Sequence, residues 1–71
     1  MNWPSKEEVN KLRKKYPTGT KVKLIRMDDP RPVLPGTIGT ITGIDDIGNI
    51  HCAEFHLAII PSKDIFEVIE D

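Results

Sequence analysis

Two aspartate pairs, two histidines and a lone cysteine are the side chains of this 71-residue chain best suited to chemistry. Asp28-Asp29 and Asp45-Asp46 carry the carboxylate oxygens that hard cations such as Mg²⁺ and Ca²⁺ take. Each pair follows a different predicted strand, and an eight-residue strand spans roughly 26 Å. The pairs are therefore expected at opposite ends of a hairpin, as turn residues that accept hydrogen bonds from the backbone ahead of them. His51 and His56 are expected to face each other across neighbouring strands. A structural zinc site needs four ligands, however, and only Cys52 is near. Cys52 follows His51 directly, so in a strand the two point to opposite faces. The expectation is two solvent-facing histidines, a small buried thiol, no metal site and no cofactor. Ser5 and Ser62 lack the glycine frame of a nucleophile elbow. Gly36-x-x-Gly39 opens no helix, so it forms no phosphate cradle. The chain is expected to have no catalytic residues and not to be an enzyme.

Binding is the remaining chemistry. Residues 1–26 carry eight basic side chains against two acidic ones, a net of +6; residues 27–71 carry two against nine, a net of −7. Lys11, Lys14 and Lys15, with Lys21 and Lys23, offer a patch of the kind that holds nucleic-acid phosphates. Against that reading, Glu7 and Glu8 dilute the patch, the isoelectric point is about 6.1, and both arginine and aromatic residues for base reading and stacking are scarce. The favoured reading is protein binding through the segment from Met27 to Leu34 and the turn at residues 45–48. Met27, Asp28, Asp29, Val33, Leu34, Asp45, Asp46 and Ile47 are the candidate contacts. Val33, Leu34 and Ile47 are expected to be exposed apolar anchors and the aspartates a negative rim. Nucleic-acid binding through the five lysines is the alternative.

The elements that must position these groups follow from local signals. Ser5 with Glu8 three residues on is a capping box, and Pro17 ends the helix it starts, giving a helix over residues 5–16. Val9, Leu12 and Tyr16 fall on one stripe of it, with the lysines opposite. From Thr20 the period changes to two, and residues 20–26 read as a half-buried strand. Residues 27–36 contain three prolines and a glycine, a stiff loop. Residues 37–44 form a second strand, interrupted by Gly39 and Gly43, which mark a close backbone approach or a bulge. Residues 50–53, 57–60 and 65–69 complete five strands. The fold class is mainly β with an N-terminal α-helix, a single domain of residues 1–71 in which residues 20–69 form a small five-stranded SH3-like barrel, closed so that no edge is left exposed. One cysteine argues for a reducing compartment, and no stretch approaches the roughly 20 apolar residues of a membrane helix. A cytoplasmic protein with no membrane contact is expected.

Five segments occur in a recognisable order: Pro17-Thr18-Gly19-Thr20, Met27-Asp28-Asp29-Pro30, Pro35-Gly36-Thr37-Ile38-Gly39-Thr40, Gly43-Ile44-Asp45-Asp46-Ile47-Gly48 with Ile50-His51, and Leu57-Ala58-Ile59-Ile60-Pro61. Together they resemble an uncharacterised family of small proteins from Gram-positive bacteria, their phages and conjugative elements. The resemblance covers about residues 16–69. It implies a small barrel and a mobile-element setting, and no activity. The chain departs from the family pattern at Cys52-Ala53-Glu54-Phe55-His56, a shorter interval without the tryptophan and Asp-Asn-Gly turn, where Phe55 stands as the available aromatic.

Overall fold

A computed structural model describes residues 4–31 and 33–69. The helix, α1, spans Lys6–Lys15. Ser5 caps it: the Glu8 amide donates to Ser5 Oγ at 3.2 Å. The return half of the expected box differs, because Glu8 Oε1 receives the Ser5 hydroxyl at 3.4 Å. Glu7 and Glu8 in the first turn and Arg13, Lys14 and Lys15 in the last suit the helix dipole. Tyr16 closes the helix with its amide donated to the Leu12 carbonyl. Val9 is buried, and Leu12 and Tyr16 pack half-buried against the same core. Each such side chain contributes about 1.5–3 kcal/mol when fully buried, less here for the two that are partly exposed. Trp3, which precedes the cap and is expected from the sequence to cover the start of the helix, lies outside the described residues.

Among the described residues four antiparallel strands follow: β1 (Lys21–Arg26), β2 (Ile38–Ile44), β3 (Ile50–Cys52) and β4 (Ile65–Val68), in the spatial order β3-β2-β1-β4. Strand β2 changes partner along its length. Its first half pairs with β1, Lys21 opposite Thr40 and Lys23 opposite Ile38, and its second half pairs with β3, Ile41 opposite Cys52 and Ile44 opposite Ile50. The register slips between Ile41 and Gly43. That extra residue shifts the alternation, so Gly39, Ile41 and Ile44 all face inward. Gly39 serves the other role expected of a strand glycine. A Cβ there would lie 2.8 Å from the Phe55 ring, which is buried over the strand.

The sheet does not close into the expected five-stranded barrel. Residues 57–60, expected as a strand, make a single antiparallel bridge, Ile59 to Ile50, with both hydrogen bonds formed at 2.7 and 2.8 Å. Ile60 directs its own groups away from β3, as alternation requires: its amide donates to Asp64 Oδ2, and its carbonyl accepts from the Lys63 and Asp64 amides. The next position that would bond to β3 is Pro61, which has no N–H to offer. The pairing therefore ends at Ile59, and the chain turns through residues 61–64. The core beneath the sheet comprises Val22, Leu24, Ile41, Ile50 and Ile59, all essentially inaccessible, with Val9, Met27, Val33, Ile44, Cys52 and Phe55 around them. No helix among the described residues is long and apolar enough to cross a membrane.

Candidate functional site

The turn between β2 and β3 is built around one carboxylate. Asp45 Oδ1 accepts the Asn49 amide at 2.9 Å and the Ile47 amide at 3.1 Å, and Oδ2 meets His51 Nε2 at 2.9 Å. Gly48 completes the turn at φ +85°, a conformation that a side chain would strain. Partial burial pushes the Asp45 carboxyl up. The hydrogen bonds from His51, Asn49 and Ile47 together outweigh that and hold it below its usual range. The turn presents Ile47 to solvent.

Arg13 fastens this turn to the helix. Its guanidinium donates to the Ile44 carbonyl from Nε at 3.1 Å and Nη2 at 2.9 Å, and Nη2 also reaches Asp46 Oδ1 at 3.2 Å. Between the helix start and the turn runs a groove of about 370 Å³, walled by Pro4, Glu8 and Leu12 on one side and Ile60, Pro61 and Ser62 on the other, with Ile47, Gly48 and Asn49 between. Asn49 and Ile60 also border a second cleft, of about 180 Å³, with Met27, Asp28, Asp29, Leu57, Ala58 and Asp64. The two clefts therefore meet at an Asn49–Ile60 ridge. Their charged lining is acidic throughout, and neither is lined by a lysine or arginine. Asn49, at the end of the turn after β2, shares the smaller cleft with Asp28 and Asp29, while Asp45 and Asp46 do not line it.

Asp64 holds the second cleft together. It is 6% exposed, and its carboxylate accepts the Asp28 amide at Oδ1 (2.9 Å) and the Ile60 amide at Oδ2 (2.8 Å). One side chain thus ties the loop after β1 to the turn before β4.

The matching family model, described as Domain of unknown function (DUF4314), spans residues 5–69. The chain belongs to this family. No curated protein and no solved structure matches it. The family's span runs from the cap of α1 to the residue after β4, so the helix, the sheet and all of the lining of both clefts except Pro4 fall within it.

The residues expected to bind a protein separate in space. Met27, Asp28 and Asp29 line the smaller cleft and Ile47 the larger one. Val33 is a correction. It is 7% exposed and part of the core, not a surface anchor. The loop folds back on β1 through Gly36 N–H to Leu24 O and Leu24 N–H to Thr37 O, which turns Val33 in and leaves Leu34 out, 76% exposed. Met27 is likewise buried. Leu34, Asp45 and Asp46 line neither cleft. The histidines do not face each other: His51 pairs with Asp45, while His56 lies in a turn with Nε2 3.1 Å from the Arg31 carbonyl. No group of three or more His, Cys, Asp or Glu side chains among the described residues is placed to hold a metal ion. Burial, with Glu54 adding to it, pushes the Cys52 thiol up to about 11.

The five lysines occupy two faces. Val22 and Leu24 point to the core on which α1 packs, so Lys21 and Lys23 project from the opposite side of the sheet. Lys23 sits across from Glu67, and Lys21 lies near Glu54, whose carboxylate accepts the Thr40 amide and hydroxyl. Lys11, Lys14 and Lys15 are exposed on the helix. Sequence reasoning did not single out Arg13, Ile60 or Asp64, and it gave Glu8 a capping role rather than a place in the groove. Asp64 carries one local signal, an aspartate closing a Pro-Ser-Lys turn.

Proposed function

We propose that the chain is a non-catalytic binding module whose partner is a protein segment bearing lysine or arginine around an apolar anchor. The observation that carries this reading is the paired cleft, with Leu12, Ile47 and Ile60 as apolar lining and charged lining that is acidic alone. Such a surface complements a basic segment and repels polyanions. The fold is proposed to be an opened relative of the SH3-like barrel, in which the Ile59 bridge stands where a further strand would complete the sheet. The setting is proposed to be the cytoplasm of a bacterium carrying a phage or other mobile element.

Affinity capture from nuclease-treated Gram-positive lysate tests the reading, with wild type compared against Ile47→Asp and against Asp28→Lys/Asp29→Lys. Nuclease-resistant capture that both variants lose is the expected result. Submicromolar binding of short DNA or RNA at physiological salt, abolished by Lys14→Glu/Lys15→Glu, would replace this reading with the nucleic-acid one.

A further inference from the structure

The sheet ends on one side at β4, and the backbone bonding fixes which way that strand points. The Ile69 amide donates to the Lys21 carbonyl at 2.8 Å, in register with Lys23 opposite Glu67. In an antiparallel ladder the hydrogen-bonded positions alternate. Glu67 and Ile69 therefore direct their N–H and C=O groups at β1, and Phe66 and Val68 direct theirs outward. No strand among the described residues takes up those outward groups. The other end of the sheet differs, because β3 is covered there by the Ile59 bridge.

Small β proteins usually blunt such an edge with proline, lysine or a covering segment. The segment Ile-Phe-Glu-Val is short and carries one charge, Glu67, but it has neither proline nor lysine. Ile65 is 53% and Val68 40% exposed. On the solvent face of the sheet Ile25 and Ile38 are exposed as well, so the apolar surface continues inward from the edge.

We propose that this edge pairs with the same edge of a second copy of the chain, antiparallel about a two-fold axis. Self-pairing suits it because an isologous contact needs one strand used twice. Only one symmetric register engages both free residues of each copy: Phe66 opposite Val68 of the second copy, and Val68 opposite its Phe66. That register forms four backbone hydrogen bonds. It sets phenylalanine against valine on the inner face and Ile65 against the second copy's Ile69 on the outer face. Its one unfavourable contact is on the axis, where the two Glu67 side chains meet, each beside Lys23 of its own copy. The resulting sheet has eight strands.

Sedimentation equilibrium from micromolar to millimolar chain, with amide exchange read at Phe66 and Val68, tests the proposal. The expected result is a monomer–dimer equilibrium in which those two amides gain protection as concentration rises. Glu67→Gln should tighten the dimer by removing the like-charge contact. Val68→Pro should weaken it by about tenfold or more, since it deletes two of the four bonds. Its N–H makes no bond to β1, so circular dichroism should report an intact fold. A monomer throughout the range, with Glu67→Gln included, would overturn the proposal. So would a dimer in which the Phe66 and Val68 amides stay labile, or protection of those amides that appears only with a different protein bound.

Discussion

Replacing Asp64 should cost more than any surface charge, because its carboxylate does a backbone's work. It receives two amides, from Asp28 at 2.9 Å and Ile60 at 2.8 Å, in a site that is 6% exposed. A hydrogen bond to a charged acceptor contributes about 1.5–3 kcal/mol. Asp64→Ala removes both acceptors and leaves two part-buried N–H groups unpaired, a loss of about 3–5 kcal/mol. A 71-residue chain has roughly 4–11 kcal/mol in total at 0.05–0.15 kcal/mol per residue. The alanine variant therefore sits near the limit of folding. Asp64→Asn is the sharper probe. Its carbonyl oxygen keeps one amide while its NH₂ confronts the other donor, so about half the loss, roughly 2 kcal/mol, is expected. Urea unfolding followed by circular dichroism measures it, and hydrogen exchange locates it at Asp28 and Ile60. An asparagine variant within about 0.5 kcal/mol of wild type, the scale of a neutral surface change, would refute the reasoning. So would a destabilised variant whose Asp28 and Ile60 amides stay as protected as before relative to the rest of the sheet.

Two further outcomes follow from the same geometry. Gly39→Ala puts a Cβ 2.8–2.9 Å from the Phe55 ring and 3.1 Å from Cys52 Cβ. Thermal unfolding should show a loss of about 1–3 kcal/mol, typical of overpacking. Adding Phe55→Leu should cost less than the sum of the two changes, since neighbours that clash are not additive. Asp45 is held below its usual carboxylate range, so its bonds stabilise the fold fully above pH about 3.9 and lose that contribution as pH falls through the lower folded-state value. Melting temperatures of wild type and Asp45→Asn between pH 2 and pH 6, about the span of carboxylate titration, should converge toward the acid end. At the neutral end the gap should correspond to no more than about 1 kcal/mol, the scale of a solvent-screened pair.

What was legible in the sequence is what neighbouring residues decide among themselves. Ser5, Glu8 and Pro17 fix α1 to within a residue because capping and proline sterics act over one turn. The alternation in β1 and β2 is likewise local, and so are the two glycine devices, a close approach at Gly39 and a register slip at Gly43. Residues 57–60 have a strand's composition, yet they form one bridge, because the next position that would bond to β3 is Pro61, which has no N–H. Val33 has an anchor's composition inside a proline-rich loop, yet it is buried, because Gly36 and Thr37 bond to Leu24 and turn the loop inward. In the second case the deciding contact is a backbone pairing made by neighbouring residues with a distant strand, which the type of residue 33 does not record. Asp64 was hidden for the complementary reason: aspartate composition signals a turn and says nothing of burial.

The groove takes its shape from the segments between the strands. Its walls are connectors: the start of α1, the turn after β2, and the segment between the Ile59 bridge and β4. None of them is held in place by a strand ladder alone. Asp45 organises the first turn, Arg13 binds that turn's entrance at the Ile44 carbonyl to the helix, and Asp64 joins the last segment to the loop after β1. Three charged side chains therefore set the spacing of the cleft walls by bonds to backbone atoms. The sheet beneath rests on apolar burial that none of the three supplies. A change at Arg13 or Asp45 should accordingly alter what the groove accepts before it alters whether the sheet forms. Asp64 couples the two, because it ties the residue after the Ile59 bridge to the loop after β1.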